Sequence, residues 1–217
     1  MAIWQNSVVR RFIPLSVFAI AFALVEAAVV VYLRQLFYPE GFSFPLKPME
    51  PDILKVEMLR EAATLVMLGA AGAMTGKNGW QKFAFFLYAF GLWDIFYYVW
   101  LKVFLGWPES FLTPDLLFLL PVVWWGPVLA PMIVAASLCA AAITIVYLRE
   151  RGARFTARLS DVALVSAGAA VILYTFMIDA PLIEAGGPPP DYRWTLFFAG
   201  KVIGWAAFVR MVTRGKS

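Results

Sequence analysis

Gly91-Leu92-Trp93-Asp94-Ile95-Phe96-Tyr97-Tyr98-Val99-Trp100 sets one acid among aromatic rings in the middle of an apolar segment. If that segment crosses a bilayer, Asp94 lies near its centre. An ionised carboxylate there costs at least about 2.5 kcal/mol unless a proton or a partner neutralises it. The reading of this stretch as a membrane helix with an internal acid decides both the fold class and where function is sought.

Composition supports a membrane fold. Hydrophobic residues make up 62% of the 217 positions and charged residues 15%, against roughly one quarter charged in soluble domains. Six apolar segments stand out, approximately 12–36, 56–75, 83–105, 127–148, 159–179 and 194–212. At about 1.5 Å per residue each is long enough for a hydrocarbon core about 30 Å thick. No stretch between them is long enough for a separate soluble domain. The expected fold is all-α: a polytopic integral-membrane helical bundle of six transmembrane helices, forming a single transmembrane domain over 1–217. Alternating ten-residue segments of the kind an outer-membrane barrel needs are absent. The first segment is longer than a signal-peptide apolar region and is expected to be retained as a span.

The distribution of Lys and Arg predicts orientation. With six spans, one side collects Arg10, Arg11, Lys77, Lys82, Arg149, Arg151, Arg154, Arg158, Arg210, Arg214 and Lys216 against only Glu150 and Asp161. That side is expected to be cytoplasmic, with both termini on it and the protein in the cell inner membrane. The other side carries most of the acids and three connections rich in proline and aromatics: 38–45, 106–108 and 186–194. Between Thr113 and Leu148 one straight helix is impossible, because 33 residues from Leu116 would reach about 50 Å. Thr113-Pro114-Asp115 reads as a helix start, and Pro121, Pro127 and Pro131 interrupt the residues after it. A short interfacial or re-entrant helix over about 114–121 is expected before the fourth span.

Small residues mark the packing faces: Gly69, Gly72, Ala73 and Gly76; Ala135, Ala136, Cys139 and Ala140; Ala167, Gly168 and Ala170. Cys139 stands alone and histidine is absent. Cysteine-based metal sites, iron–sulfur clusters, bis-His haem and His general-base catalysis are therefore excluded, and no cofactor is expected. Walker, G-x-G-x-x-G, G-x-S-x-G and H-E-x-x-H motifs are missing, so no residue is assigned a catalytic role. The basic residues form no groove interleaved with aromatics, which argues against nucleic acid. Ala199-Gly200-Lys201-Val202 bears a superficial similarity to the retinal-bearing helix of microbial rhodopsins. Six spans rather than seven, and Phe197 where an acid is needed, set that similarity aside.

Three ionisable residues lie far from the ends of their spans: Glu26, Asp94 and Lys201. They are expected to form a mid-membrane polar site with Tyr97 and Tyr98, in which Lys201 neutralises one or both acids. Arg34, Glu57, Arg60, Glu61 and Lys102 are expected to form an outer vestibule. Two functions are expected from these features. The first is a small subunit or accessory protein of a larger inner-membrane complex, in contact with lipid and other integral-membrane subunits, docking through its proline-aromatic loops and small-residue faces. The second is a small transporter or ligand-binding membrane protein, such as a proton-coupled carrier or amine-binding pocket, that uses Glu26, Asp94 and Lys201.

Overall fold

The computed structural model describes residues 2–152 and 157–214. Six long helices dominate: α1 (Ala2–Phe37), α2 (Pro51–Thr75), α3 (Gly79–Leu105), α4 (Leu129–Glu150), α5 (Leu159–Met177) and α7 (Trp194–Arg214), with the short α6 (Ala180–Glu184) before the last. Five helical runs among the described residues are long and apolar enough to cross a membrane: Val9–Phe37, Gly79–Leu105, Leu129–Glu150, Leu159–Glu184 and Trp194–Arg214. The chain is thus a multi-pass membrane protein. Helix α2 has the length, at 25 residues, but Asp52, Lys55, Glu57, Arg60 and Glu61 crowd its first half and lower its apolar character.

Local sequence explains the helix limits. The Asn78 side chain accepts a hydrogen bond from the Gln81 N–H at 3.1 Å, capping the start of α3. Its other end closes on Gly106 at φ 65°, a left-handed turn that a residue with a Cβ rarely adopts. Pro51 opens α2, where its missing N–H has no helical partner to lose.

The expected helix over 114–121 is not formed. In its place β1 (Pro114–Phe118) pairs antiparallel with β2 (Trp124–Pro127), with Asp115 opposite Gly126, Leu116 opposite Trp125 and a bulge between Leu116 and Phe118. The fold is a mostly helical bundle that also holds this two-stranded hairpin. Pro121 and Pro127 each remove an amide that a helix would need, and Phe118, Val122, Val123, Trp124 and Trp125 are all strand formers.

Ion pairs fix the direction of each helix. Arg11 near the start of α1 pairs with Glu150 at the end of α4, and the Gln81 amide at the start of α3 donates to the same carboxylate at 2.7 Å. Asp161 at the start of α5 meets Arg210 and Arg214 at the end of α7. Helix α4 ends at Glu150 and α5 begins at Leu159, so all these groups lie at one end, called here the arginine end. Arg154 and Lys216 lie outside the described residues. The hairpin occupies the opposite end.

Helices approach closely where side chains vanish. Leu15, Ala19 and Ala23 of α1 join Leu68 and Ala71 of α2, Ala84, Phe85, Ala89 and Trp93 of α3, and Ala142 and Val146 of α4 in one buried core. A Cβ on Gly72 would lie 2.5 Å from the Phe86 nitrogen, and one on Gly91 would lie 2.5 Å from the Ala135 carbonyl oxygen. Helices α5 and α7 cross at Gly168, where a Cβ would sit 2.7 Å from the Gly200 oxygen. The outward faces are apolar, with Met74 82% and Val66 70% exposed, as lipid contact requires. Gly69 has open space around its missing Cβ and supplies a control for Gly72 on the same helix. Gly72→Leu is expected to lower the melting temperature in detergent sharply, by the equivalent of about 3 kcal/mol, whereas Gly69→Leu leaves it nearly unchanged.

Candidate functional site

The hairpin is held by acids contributed from elsewhere in the chain. At its turn the Leu119 N–H donates to both Glu61 carboxylate oxygens, at 3.1 and 2.9 Å, and the Val123 N–H reaches Glu184 Oε1 at 3.4 Å. At its open end the Val128 N–H bonds the Thr113 carbonyl and the Leu129 N–H bonds that of Phe111. Irregular backbone inside a membrane protein must find its partners in protein, and Glu61 is one of them.

Arg34, at the end of α1, is 8% exposed and reaches Asp115 Oδ1 at 3.1 Å. Its guanidinium stacks 3.7 Å from the centre of the Trp107 ring and 4.6 Å from that of Phe42. The Tyr98 hydroxyl donates to the second Asp115 oxygen at 3.2 Å. Burial pushes the Asp115 carboxyl up from 3.8 to about 6, against the pull of Arg34 and Tyr98.

About two turns deeper along α1, Arg60 of α2 bridges Glu57 on its own helix and Glu26 of α1, while the Thr64 hydroxyl donates to Glu26 Oε2 at 3.2 Å. This corrects the expected pairing of Glu26. Its countercharge is Arg60, because α1 and α2 face each other through these two side chains. Lys201 is elsewhere, bonded from α7 to the Ser137 hydroxyl of α4, and it meets neither acid. Lys102 is exposed and caps its own helix through the carbonyls of Gly106 and Pro108, each at 2.8 Å. It is no part of a vestibule.

With these pairs assigned, Asp94 is left over. Among the described residues it has no hydrogen-bond or ion-pair partner, and it faces a cavity of about 210 Å³. Glu26, Arg34, Glu57, Arg60, Glu61, Tyr97, Tyr98 and Asp115 all line the same space. The residues expected to form two layers, a mid-membrane site and a vestibule, thus share one cavity, without Lys201 and Lys102. Hydrophobic walls close it: Phe90, Trp93 and Tyr97 stack in series along α3, and Phe118 and Trp124 of the hairpin stand across from them. Tyr97, like Asp94, makes no hydrogen bond to another described residue. The indole N–H groups of Trp93 and Trp124 are buried without partners as well.

Asp115 and Trp107 were not singled out from sequence as members of the site. Asp115 read as the first turn of a helix that does not exist, and the need of Arg34 for a buried counterion was the signal that pointed to it. Comparison of the chain with protein-family models, with curated proteins and with solved structures finds no match.

Two outcomes test these assignments. Glu61→Gln keeps an acceptor for the Leu119 amide and is expected to melt close to the parent, whereas Glu61→Leu leaves that amide bare and loses about 1–3 kcal/mol, read as a fall in melting temperature. The raised Asp115 carboxyl means that the folded chain holds this proton more tightly than the unfolded chain does. Its stabilising contribution is whole below pH of about 4 and is lost as pH climbs through about 6. Melting temperature is therefore expected to fall across that window, with a shallower slope in Asp115→Asn.

Proposed function

We propose that the protein binds a small ligand in this cavity, admitted at the hairpin end, and carries it into or across the membrane. The observation that supports this most is Asp94. Every other carboxyl of the cavity holds part of the structure in place. Glu26 and Glu57 hold Arg60, Glu61 holds the hairpin turn, and Asp115 holds Arg34. Among the described residues Asp94 makes no such contact, and an ionisable side chain inside an apolar helix is a functional group by default.

Further support comes from the loops. Phe42 and Trp107 both contact the Arg34 guanidinium, and the Tyr192 ring packs against Trp125, Phe176 and Phe197 while its hydroxyl meets Thr175 at 2.9 Å. Aromatics expected to dock partners are turned inward, toward the cavity and its walls. In this reading the arginine end faces the cytoplasm, as its excess of Lys and Arg favours. The membrane is the cell inner membrane, both termini are cytoplasmic, and α2 is the sixth crossing, with Glu57 and Glu61 buried in the bundle and Arg60 bonded between Glu57 and Glu26.

The second reading, a subunit of a larger membrane complex, draws on Phe111 and Leu112, which stand 60% and 63% exposed beside the hairpin. One experiment separates the two. The chain is purified alone in mild detergent and its melting temperature followed against a panel of small neutral, anionic and cationic compounds. At least one compound is expected to raise it by several degrees, and Val134→Phe, which fills the cavity wall, is expected to remove the effect. A lone chain that gives no cooperative melt and responds to nothing in the panel points to the complex instead.

A further inference from the structure

Charge balance in the cavity defines the sign of the molecule that enters it. Five carboxyls line it, on Glu26, Glu57, Glu61, Asp94 and Asp115, against two guanidiniums, on Arg34 and Arg60. Both guanidiniums are already committed. Arg34 is bonded to Asp115 and covered by two rings, and Arg60 is held between Glu26 and Glu57. Among the described residues no free cation remains on the wall to receive an anionic ligand. The Asp94 carboxyl does remain free, with the Glu61 carboxyl met only by one backbone amide.

The walls define the rest. The rings of Phe90, Trp93, Tyr97, Tyr98 and Trp124 line the same cavity as Asp94. An aromatic face is attractive to an organic cation. A bare metal ion is a poor fit, since among the described residues no three carboxylates converge closely enough to hold one. The volume of about 210 Å³ falls below the roughly 300–1,000 Å³ of drug-sized sites. That size suits a compound of one ring or one short chain.

Taking the cavity as a ligand site, as proposed above, we infer that its ligand is a small organic ammonium ion. Its nitrogen is paired with Asp94 and its hydrocarbon part lies against the α3 and hairpin rings. The pair is a charge-assisted contact between ammonium and carboxylate, and the rings replace the water that the cation leaves behind. Tyr97, whose hydroxyl has no partner among the described residues, lies one turn from Asp94 and offers an oxygen to the same ammonium.

The test uses the full chain in detergent and three probes of one shape: phenethylammonium, the neutral 2-phenylethanol and the anionic 3-phenylpropanoate. Binding is read by quenching of tryptophan fluorescence and by thermal stabilisation. Phenethylammonium is expected to bind, and the neutral and anionic probes to bind at least about tenfold more weakly, the value of one charged hydrogen bond. Asp94→Asn is expected to lose a similar factor for the ammonium only, and Asp94→Glu to recover part of it. A melting curve for Asp94→Asn that matches the parent separates lost binding from lost folding. Should that variant fail to fold, the ranking of the three probes on the parent chain decides alone. Equal binding of all three probes, or preference for the anion, overturns the ammonium assignment and leaves a ligand site standing. Absence of binding by all three, together with no response of the parent chain to the wider panel, overturns both.

Discussion

A hairpin at one end of a helical bundle brings with it backbone amides that strand pairing leaves open, and the Glu61 carboxylate answers the one at Leu119. Around that contact the hairpin end is organised. With its turn held by Glu61 from α2 and Glu184 from α6, the hairpin presents Asp115 to Arg34 and Tyr98, and Phe118 and Trp124 to the cavity. An unanswered amide in such a place costs about as much as several ordinary surface contacts together contribute. The charged residues crowded into the first half of α2 reflect this requirement and the bridge that Arg60 makes.

Charges inside the bundle divide into two kinds. Glu26, Glu57, Arg60, Arg34 and Asp115 are mutually bonded and fix the positions of α1, α2, α3 and the hairpin, though pairs of this sort gain little net stability over well-packed apolar side chains. Their value is positional: removing one partner strands the other. Asp94 belongs to the other kind. Among the described residues it has no hydrogen-bond or ion-pair partner, and in the proposed function it is the group left for the ligand.

Much of the fold could be read in the sequence, and the limits of that reading have physical causes. Long apolar runs and the small residues at Gly72 and Gly168 are local signals, and each fell where the structure needs it. The hairpin was missed because Thr113-Pro114-Asp115 satisfies the rules for a helix start, while the partner that turns it into a strand lies beyond a turn whose amides are met by residues about sixty positions away. Membership of the site was largely legible, since Glu26, Arg34, Glu57, Arg60, Glu61, Asp94, Tyr97 and Tyr98 share one cavity. The pairing within it was not. Depth along a span gives the level of a charge in the membrane but not which neighbour it faces, and Lys201 at the right depth faces Ser137 on α4.

The two acids that hold the hairpin turn stand on either side of it along the chain. Glu61 precedes Leu119 by 58 residues, and Glu184 follows Val123 by 61. As the polypeptide emerges from the ribosome, the strand pair and its first clasp are complete long before the second has been made. Helices α1 to α4 can settle against one another while the turn is still half-bound. Ile172, Leu173 and Phe176 of the cavity wall lie in the last third of the chain, so the cavity lacks part of its lining until late in synthesis although most of it is made early.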